Sequence, residues 1–200
     1  MGTPPPPDPA DDEPPADPEA VARRICLQQL DRKARSRAEL ATVLRRRGIP
    51  DDAATTVLDR FAEVGLIDDA GLAELVAGAQ HRDRGLARRA VAAKLRQRGF
   101  DDDVVGAALT GINGDDERSR AGELVAKRQR ALAGLPPEVQ ARRLVGLLAR
   151  RGYPSGLAYE VVRQVLAAAR ADAELVAALA AAEPGPDGES GADIPAGPNA

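Results

Sequence analysis

LRRRGIPDD (44–52), LRQRGFDDD (95–103) and LARRGYPSG (148–156) are three versions of one phrase. Each holds a leucine, basic residues, a glycine and a large apolar residue at nearly fixed spacing, and the glycines at 48, 99 and 152 stand 51 and 53 residues apart. Recurrence at this period signals tandem structural units rather than one irregular domain.

The register extends well beyond the phrase. Leu40, Val91 and Leu144 stand eight residues before each glycine, and Leu44, Leu95 and Leu148 stand four before. Ile49, Phe100 and Tyr153 follow one after, then Val57 with Leu58, Ala108 with Leu109, and Val161 with Val162 at nine and ten. Positions −8 and −4 share one helical face, the glycine lets the chain leave the helix with positive φ, and the apolar follower folds back on the last turn. A polar residue then caps a second helix: Asp51 or Asp52, Asp101 or Asp102, and Ser155. Its stripe reads Val57, Leu58, Phe61 and Val64 in the first unit. Val104, Val105, Ala108, Leu109 and Ile112 form it in the second, and Leu157, Val161, Val162 and Val165 in the third.

Upstream of each pair there is room for one more helix. Its apolar face is Val21, Ile25 and Leu30 in the first unit, Leu72, Leu75, Val76 and Ala79 in the second, and Leu124, Val125 and Leu132 in the third. Breaks fall at Ser36, GLIDD (65–69), GINGDD (111–116) and LAGLPPEV (132–139). The expected class is all-α: three tandem three-helix repeats at 19–66, 67–113 and 114–170. Units of about 50 residues are marginal alone, so neighbours are expected to share surface in an elongated, curved array. Residues 1–18 and the end of the chain, after a helical extension from 171, are expected to be disordered acidic tails, since Pro, Asp, Glu, Gly and Ala offer little to offset chain entropy.

Composition supports helices. Only 2% of the 200 residues are aromatic and there is no Trp, so the core must come from Leu, Val, Ile and Ala, while Ala, Leu, Arg and Glu favour helix. No apolar run approaches the roughly 20 residues that cross a bilayer, and the first residues lack the regions of a signal peptide; a cytoplasmic protein without membrane contact is expected. Cys26 stands alone in an amphipathic stretch and reads as a small core residue. The net charge of −3 conceals a division. All 28 basic residues lie between Arg23 and Arg170 against nineteen acidic ones in 20–170, a net of +9 between two acidic ends. Such a centre suits a polyanionic or acidic partner.

GLIDD (65–69), LARRAVAAKLRQRGF (86–100) and LVGLLARRGYPSGLAYEVVRQVL (144–166) resemble the RecX family, bacterial modulators of the RecA recombinase in homologous recombination and DNA repair. The resemblance spans about residues 20–170 and all three repeats. Two positions depart from the family pattern. Leu72 stands where DDxxFA-like phrases carry an aromatic, and Lys94 where the ELRxRG phrase carries an acid. The resemblance implies a non-enzymatic, monomeric array of helical repeats that needs no cofactor and binds RecA and its filament on single-stranded DNA. It further implies that the array dampens filament growth, ATP turnover and strand exchange. It transfers no defined set of site residues.

Two readings fit the arginines themselves. Arg45, Arg46, Arg47, Arg96, Arg98, Arg150 and Arg151 close the helices before each glycine, and with Arg82, Arg84, Arg88, Arg89 and Lys94 they form candidate partner- or DNA-binding positions, since the guanidinium fork suits carboxylate and phosphate alike. The other reading is compensation of the negative helix ends plus a solvated face. His81 has no second His or Cys nearby to complete a metal set and reads as a surface or interhelix residue. The paired aspartates (51/52, 68/69, 101/102, 115/116) read as helix starts rather than a two-metal site. Phosphate-loop, dinucleotide and nucleophile-elbow motifs are absent. Helices beginning DDAATTVLDR and DDDVVGAALT present carboxylates where a recognition helix presents Arg, Asn or Gln. That leaves weak, sequence-indifferent DNA binding, or an adaptor for another acidic partner, as the alternatives to RecA.

Overall fold

A computed structural model describes residues 17–182. Within them nine helices run in threes: α1 (Pro18–Arg32), α2 (Arg37–Arg46), α3 (Asp51–Glu63); α4 (Asp69–Arg82), α5 (Arg88–Gln97), α6 (Asp102–Ala108); α7 (Gly114–Arg130), α8 (Pro137–Arg150), α9 (Ser155–Ala182). The described residues are all-helical, as the composition requires, and the two terminal tails expected to be disordered lie outside them.

Each triplet builds a core, the third completed by Ala87 of the second. Leu40, Leu44, Val57, Leu58 and Phe61 gather with Ala22 and Cys26 in the first. Val91, Leu95, Phe100 and Val105 do so with Ala73 and Ala77 in the second, and Leu144, Leu148, Tyr153, Val161 and Val162 with Ala121 and Val125 in the third. One aromatic fills each core. In the first it comes from Phe61 on α3, because the turn residue there is the smaller, half-buried Ile49. Burial pushes the Cys26 thiol up to about 11, so it remains a protonated core group.

The first helices of the first two triplets correct the expected stripe, while in the third Val125 and Leu132 are buried as expected. On α1 the fully buried residues are Ala22 and Cys26, with Ile25 and Leu30 only flanking them; on α4 they are Ala73 and Ala77, while Leu75 is 72% exposed. Small side chains occupy the crossing because they let helix axes approach, and larger ones pack beside it. Val64 is likewise outside the core, at the exit of α3. The capping expectation also needs revision. Pro50 takes the N-cap position of α3, with Asp51 and Asp52 inside its first turn, and Asp101 precedes α6 without a side-chain cap bond. Proline's fixed φ already sets the entry angle, and the aspartates then act through the helix dipole. Asp68 does cap α4, Asn113 and Asp116 form a reciprocal box on α7, and Ser155 is the first residue of α9.

The repeated glycines behave as the spacing requires. Gly48, Gly99 and Gly152 have φ of 75°, 82° and 89°. The following amides reach back five residues to a leucine carbonyl: Ile49 to Leu44 at 3.2 Å, Phe100 to Leu95 at 3.3 Å and Tyr153 to Leu148 at 3.1 Å. This Schellman closure turns the helix and drives the apolar follower into the core.

The same turns also join the repeats. The Ser36 hydroxyl at the start of α2 donates to the Arg98 carbonyl at 2.8 Å, and the Arg37 amide donates to Asp69 Oδ1 at 2.9 Å. One repeat later the Ala87 amide donates to the Arg151 carbonyl at 3.0 Å and the Arg88 amide to Glu117 Oε1 at 2.8 Å. A hydroxyl and an amide at the first joint, and two amides at the second, are thus satisfied by the next repeat's turn carbonyl and by a carboxylate near the start of its first helix. Backbones come so close that a Cβ at Gly99 would collide with the Ala38 methyl, and one at Gly152 would lie 2.6 Å from that of Ala90. At Gly48, before which the described residues hold no further repeat, a Cβ would meet nothing within 4 Å.

At the first joint Arg98 grips Glu39 through two bonds of 2.8 and 3.0 Å, with side chains 26% and 23% exposed. Burial opposes the Glu39 charge, but the bonds from Arg98 and from the Ser36 amide, with the Arg98 charge, hold its carboxyl below the ordinary value. Asp69 goes the other way: burial raises it, and its bond from the Arg37 amide only partly offsets that.

Replacing Gly48 with Ala costs left-handed strain alone, about 1–2 kcal/mol. Gly99→Ala adds the collision with Ala38 and is expected to lower the thermal midpoint further; equal losses would mean that the joint yields freely. The Tyr153 hydroxyl is buried without a partner, and burial, with the nearby Glu117 charge, pushes it up to about 12. Tyr153→Phe removes that orphaned group and is expected to raise stability by about 1 kcal/mol in chemical denaturation; a loss would reveal a bond to the hydroxyl.

Candidate polyanion-binding trough

An open trough of about 1020 Å³ lies where the end of α4 meets α7 and α8. Arg120, Lys127 and Arg128 line it from α7, Arg142, Arg143 and Arg150 from α8, and Arg151 from the third turn, against the carboxylates of Asp83 and Glu123. Sequence places them there. On α8, Leu144 and Leu148 face the core, which throws Arg142, Arg143 and Arg150 to the outside. On α7, Ala121 and Val125 do the same for Lys127 and Arg128. Leu124, Gly146 and Leu147 supply an apolar floor.

Two interior glycines of helices find their reason here. A Cβ at Gly146 would come within 3.3 Å of the Arg150 guanidinium, and one at Gly78 within 2.6 Å of that of Arg82. A glycine four residues before an arginine leaves room for the guanidinium to lie back along its own helix, at a cost of about 1 kcal/mol for glycine in a helix interior. Arg82 lines a smaller hollow of about 300 Å³ with His81, and Arg120 and Glu123 line both hollows. The two therefore adjoin. Buried at the end of α4, His81 has its Nδ1 2.9 Å from the Leu86 carbonyl, an interhelix role. No group of three or more His, Cys, Asp or Glu among the described residues could hold a metal ion.

The twelve predicted positions separate into three sets. Arg150 and Arg151 line the trough and Arg82 its neighbour. Arg89, Arg98 and Arg151 are engaged between repeats, Arg89 Nε donating to the Gly152 carbonyl at 2.6 Å and Arg151 to the Arg84 carbonyl, while the Arg88 side chain stays within the second repeat, its Nη1 donating to the Ile112 carbonyl at 3.3 Å. Arg98 also lies 5.5 Å over the Phe100 ring. Arg45, Arg46, Arg47, Arg84, Lys94 and Arg96 are exposed, with Arg96 paired to Asp102 at 2.7 Å and Arg45 only loosely to Asp51 at 3.9 Å. The trough residues outside the predicted set are Arg120, Lys127, Arg128, Arg142 and Arg143. Their signal was present in AKRQR (126–130) and ARR (141–143), basic clusters away from the repeated phrase.

Seven cationic side chains and two carboxylates around one open trough can bind a chain of phosphates or a carboxylate-rich surface. No helix of the described residues is long and apolar enough to cross a membrane.

Models of the first and second RecX three-helix domains match residues 22–61 and 68–109. The chain is 51% identical over 154 residues to the regulatory protein RecX of Thermobifida fusca, covering 77% of this chain and 83% of that one. It is 45% identical to the RecX of Streptomyces coelicolor over 154 residues, covering 77% and 82%. The crystal structure of RecX from Lactobacillus salivarius shares the fold, with a TM-score of 0.68 at 17% identity over 76% of this chain and 98% of that one. A second RecX crystal structure aligns with a TM-score of 0.64 at 21% identity, covering 74% and 73%. With two of its helix triplets matched by the family's own domain models and curated relatives alike along three quarters of its length, the chain belongs to the RecX family of regulatory proteins.

Proposed function

We propose that this chain regulates homologous recombination by binding RecA and the RecA filament on single-stranded DNA, lowering filament growth, ATP hydrolysis and strand exchange. The observation that carries the reading is kinship with the RecX regulators over 154 residues at 51% identity. The physical support is the line of jointed repeats. Three units bonded in series offer contacts to several protomers of a polymer, and linked weak contacts gain through effective concentration, so the filament is favoured over free RecA. The trough and the exposed Arg45, Arg46 and Arg47 supply the charge for that docking. Arg98 serves it indirectly, by holding the first two repeats together.

A second reading rests on the trough itself. Its cationic lining also fits a sugar-phosphate strand without regard to sequence, and a direct DNA contact would anchor the protein beside the filament.

The test is RecA ATP hydrolysis on single-stranded DNA, titrated with the full chain. Micromolar protein is expected to lower the rate. Reversing Arg128, Arg142 and Arg143 to Glu, all exposed, is expected to weaken inhibition by about tenfold or more while helix content stays unchanged. No inhibition by the unaltered chain would sink the RecA reading. For DNA alone, near-equal affinity for unrelated oligonucleotides and a steep fall with salt are expected; the triple reversal should flatten that salt slope, and an unchanged slope would remove the trough from DNA binding.

A further inference from the structure

The joint between repeats has two halves, and they are used unequally. The receiving half is a turn carbonyl (Arg98, Arg151), a glycine with positive φ beside it, and a carboxylate near the start of the same repeat's first helix (Asp69, Glu117). The inserting half is the first turn of the preceding repeat's middle helix, SRAE (36–39) or ARRA (87–90).

Among the described residues, repeat one carries a receiving half with nothing in it. Arg47 stands at the position of Arg98, Gly48 has the required φ of 75° with open space where a Cβ would point, and Glu19 stands near the start of α1, as Asp69 does in α4. Within the described residues no donor reaches the Arg47 carbonyl, and the Arg47 side chain is exposed.

At the other end the inserting half is missing. α8 begins one turn earlier than α2 or α5 in the common register, so Gln140 falls inside the helix with its amide on the Pro136 carbonyl, and the helix opens on Pro136 and Pro137, which have no N–H to give. Among the described residues the array is therefore closed at its third repeat and open at its first. A second intact copy cannot fill the open end, because both of its inserting halves are already engaged. Residues 1–16, MGTPPPPDPADDEPPA, contain no Ser-x-Ala-Glu order.

We propose that this open half is a docking site for the N-terminus of an α-helix of another protein. The geometry at the first joint specifies the occupant's chemistry. A Ser or Thr at the N-cap gives its hydroxyl to the Arg47 carbonyl, as Ser36 does to Arg98. A small residue two places on fits against Gly48, as Ala38 fits Gly99. An acid three places on takes the Arg47 guanidinium, as Glu39 takes that of Arg98 at 2.8 and 3.0 Å. The first free amide of that helix meets Glu19. This surface is separate from the trough and does not depend on RecA being the partner.

The probe is the chain's own inserting segment, an acetylated peptide of residues 33–46 (KARSRAELATVLRR), stapled into a helix between the exposed positions Thr42 and Arg46. It is titrated into the ¹⁵N-labelled full chain. Saturable shifts of the Gly48 and Ile49 amides are expected. Arg47→Glu should weaken binding about tenfold, as loss of a charge-assisted pair does, and a peptide carrying Glu39→Arg should restore it. Absence of shifts at Gly48 and Ile49, shifts centred instead on Gly99 and Phe100, or indifference to the charge exchange would each overturn the proposal.

Discussion

A missing methyl group sets the architecture. Because Gly99 and Gly152 have no Cβ, the turn of one repeat can lie against an alanine in the first turn of the preceding middle helix, and hydrogen bonds can then cross between backbones. Helix ends leave amides and carbonyls without intrahelical partners. In most proteins water or local caps satisfy them. Here the first two middle helices send donors from their first turn into the next repeat, and the next repeat answers with a carbonyl freed by the glycine turn and with a carboxylate. A single residue type therefore ends a helix, aims the apolar follower into a core and creates the acceptor that joins two units.

That economy divides the arginines. Those just before the glycine repeat in sequence but not in duty: Arg98 clamps Glu39, Arg151 bonds the Arg84 carbonyl, and Arg47 projects into solvent. Their common neighbourhood, the negative end of a helix, explains why a cation is favourable at all three. What each one meets depends on whether another repeat precedes it. Meanwhile seven cations against two carboxylates gather elsewhere, in the trough between α7 and α8. The excess of +9 in the centre of the chain is thus partly structural cement and partly docking surface.

The helical plan is legible in the sequence because its determinants are local. Spacing of Leu40 and Leu44, the glycine and its follower is enough to place a helix, a stop and a core residue. The face of the first helix in the first two triplets is less legible, since Ala73 and Ala77 bury in preference to Leu75 for reasons of interhelix distance that no single helix contains. The joints are illegible for a stronger reason: Arg98 and Glu39 are 59 residues apart, and LRRRG and LRQRG differ too little to show that one arginine is paired and the other free. Charge separated from the repeated phrase, as at Arg142 and Arg143, was visible in the sequence, and only the packing of α8 on α7 shows that it converges.

The central claim is that the residue before the glycine welds one repeat to the next. A double-mutant cycle across Arg98 and Glu39, each replaced by Ala singly and together, measures this by chemical denaturation. Partial burial and two charge-assisted bonds predict a coupling energy of about 1–3 kcal/mol. Additive losses, with coupling indistinguishable from zero, would show that the pair only decorates a joint held by something else, and the account of the array would fail.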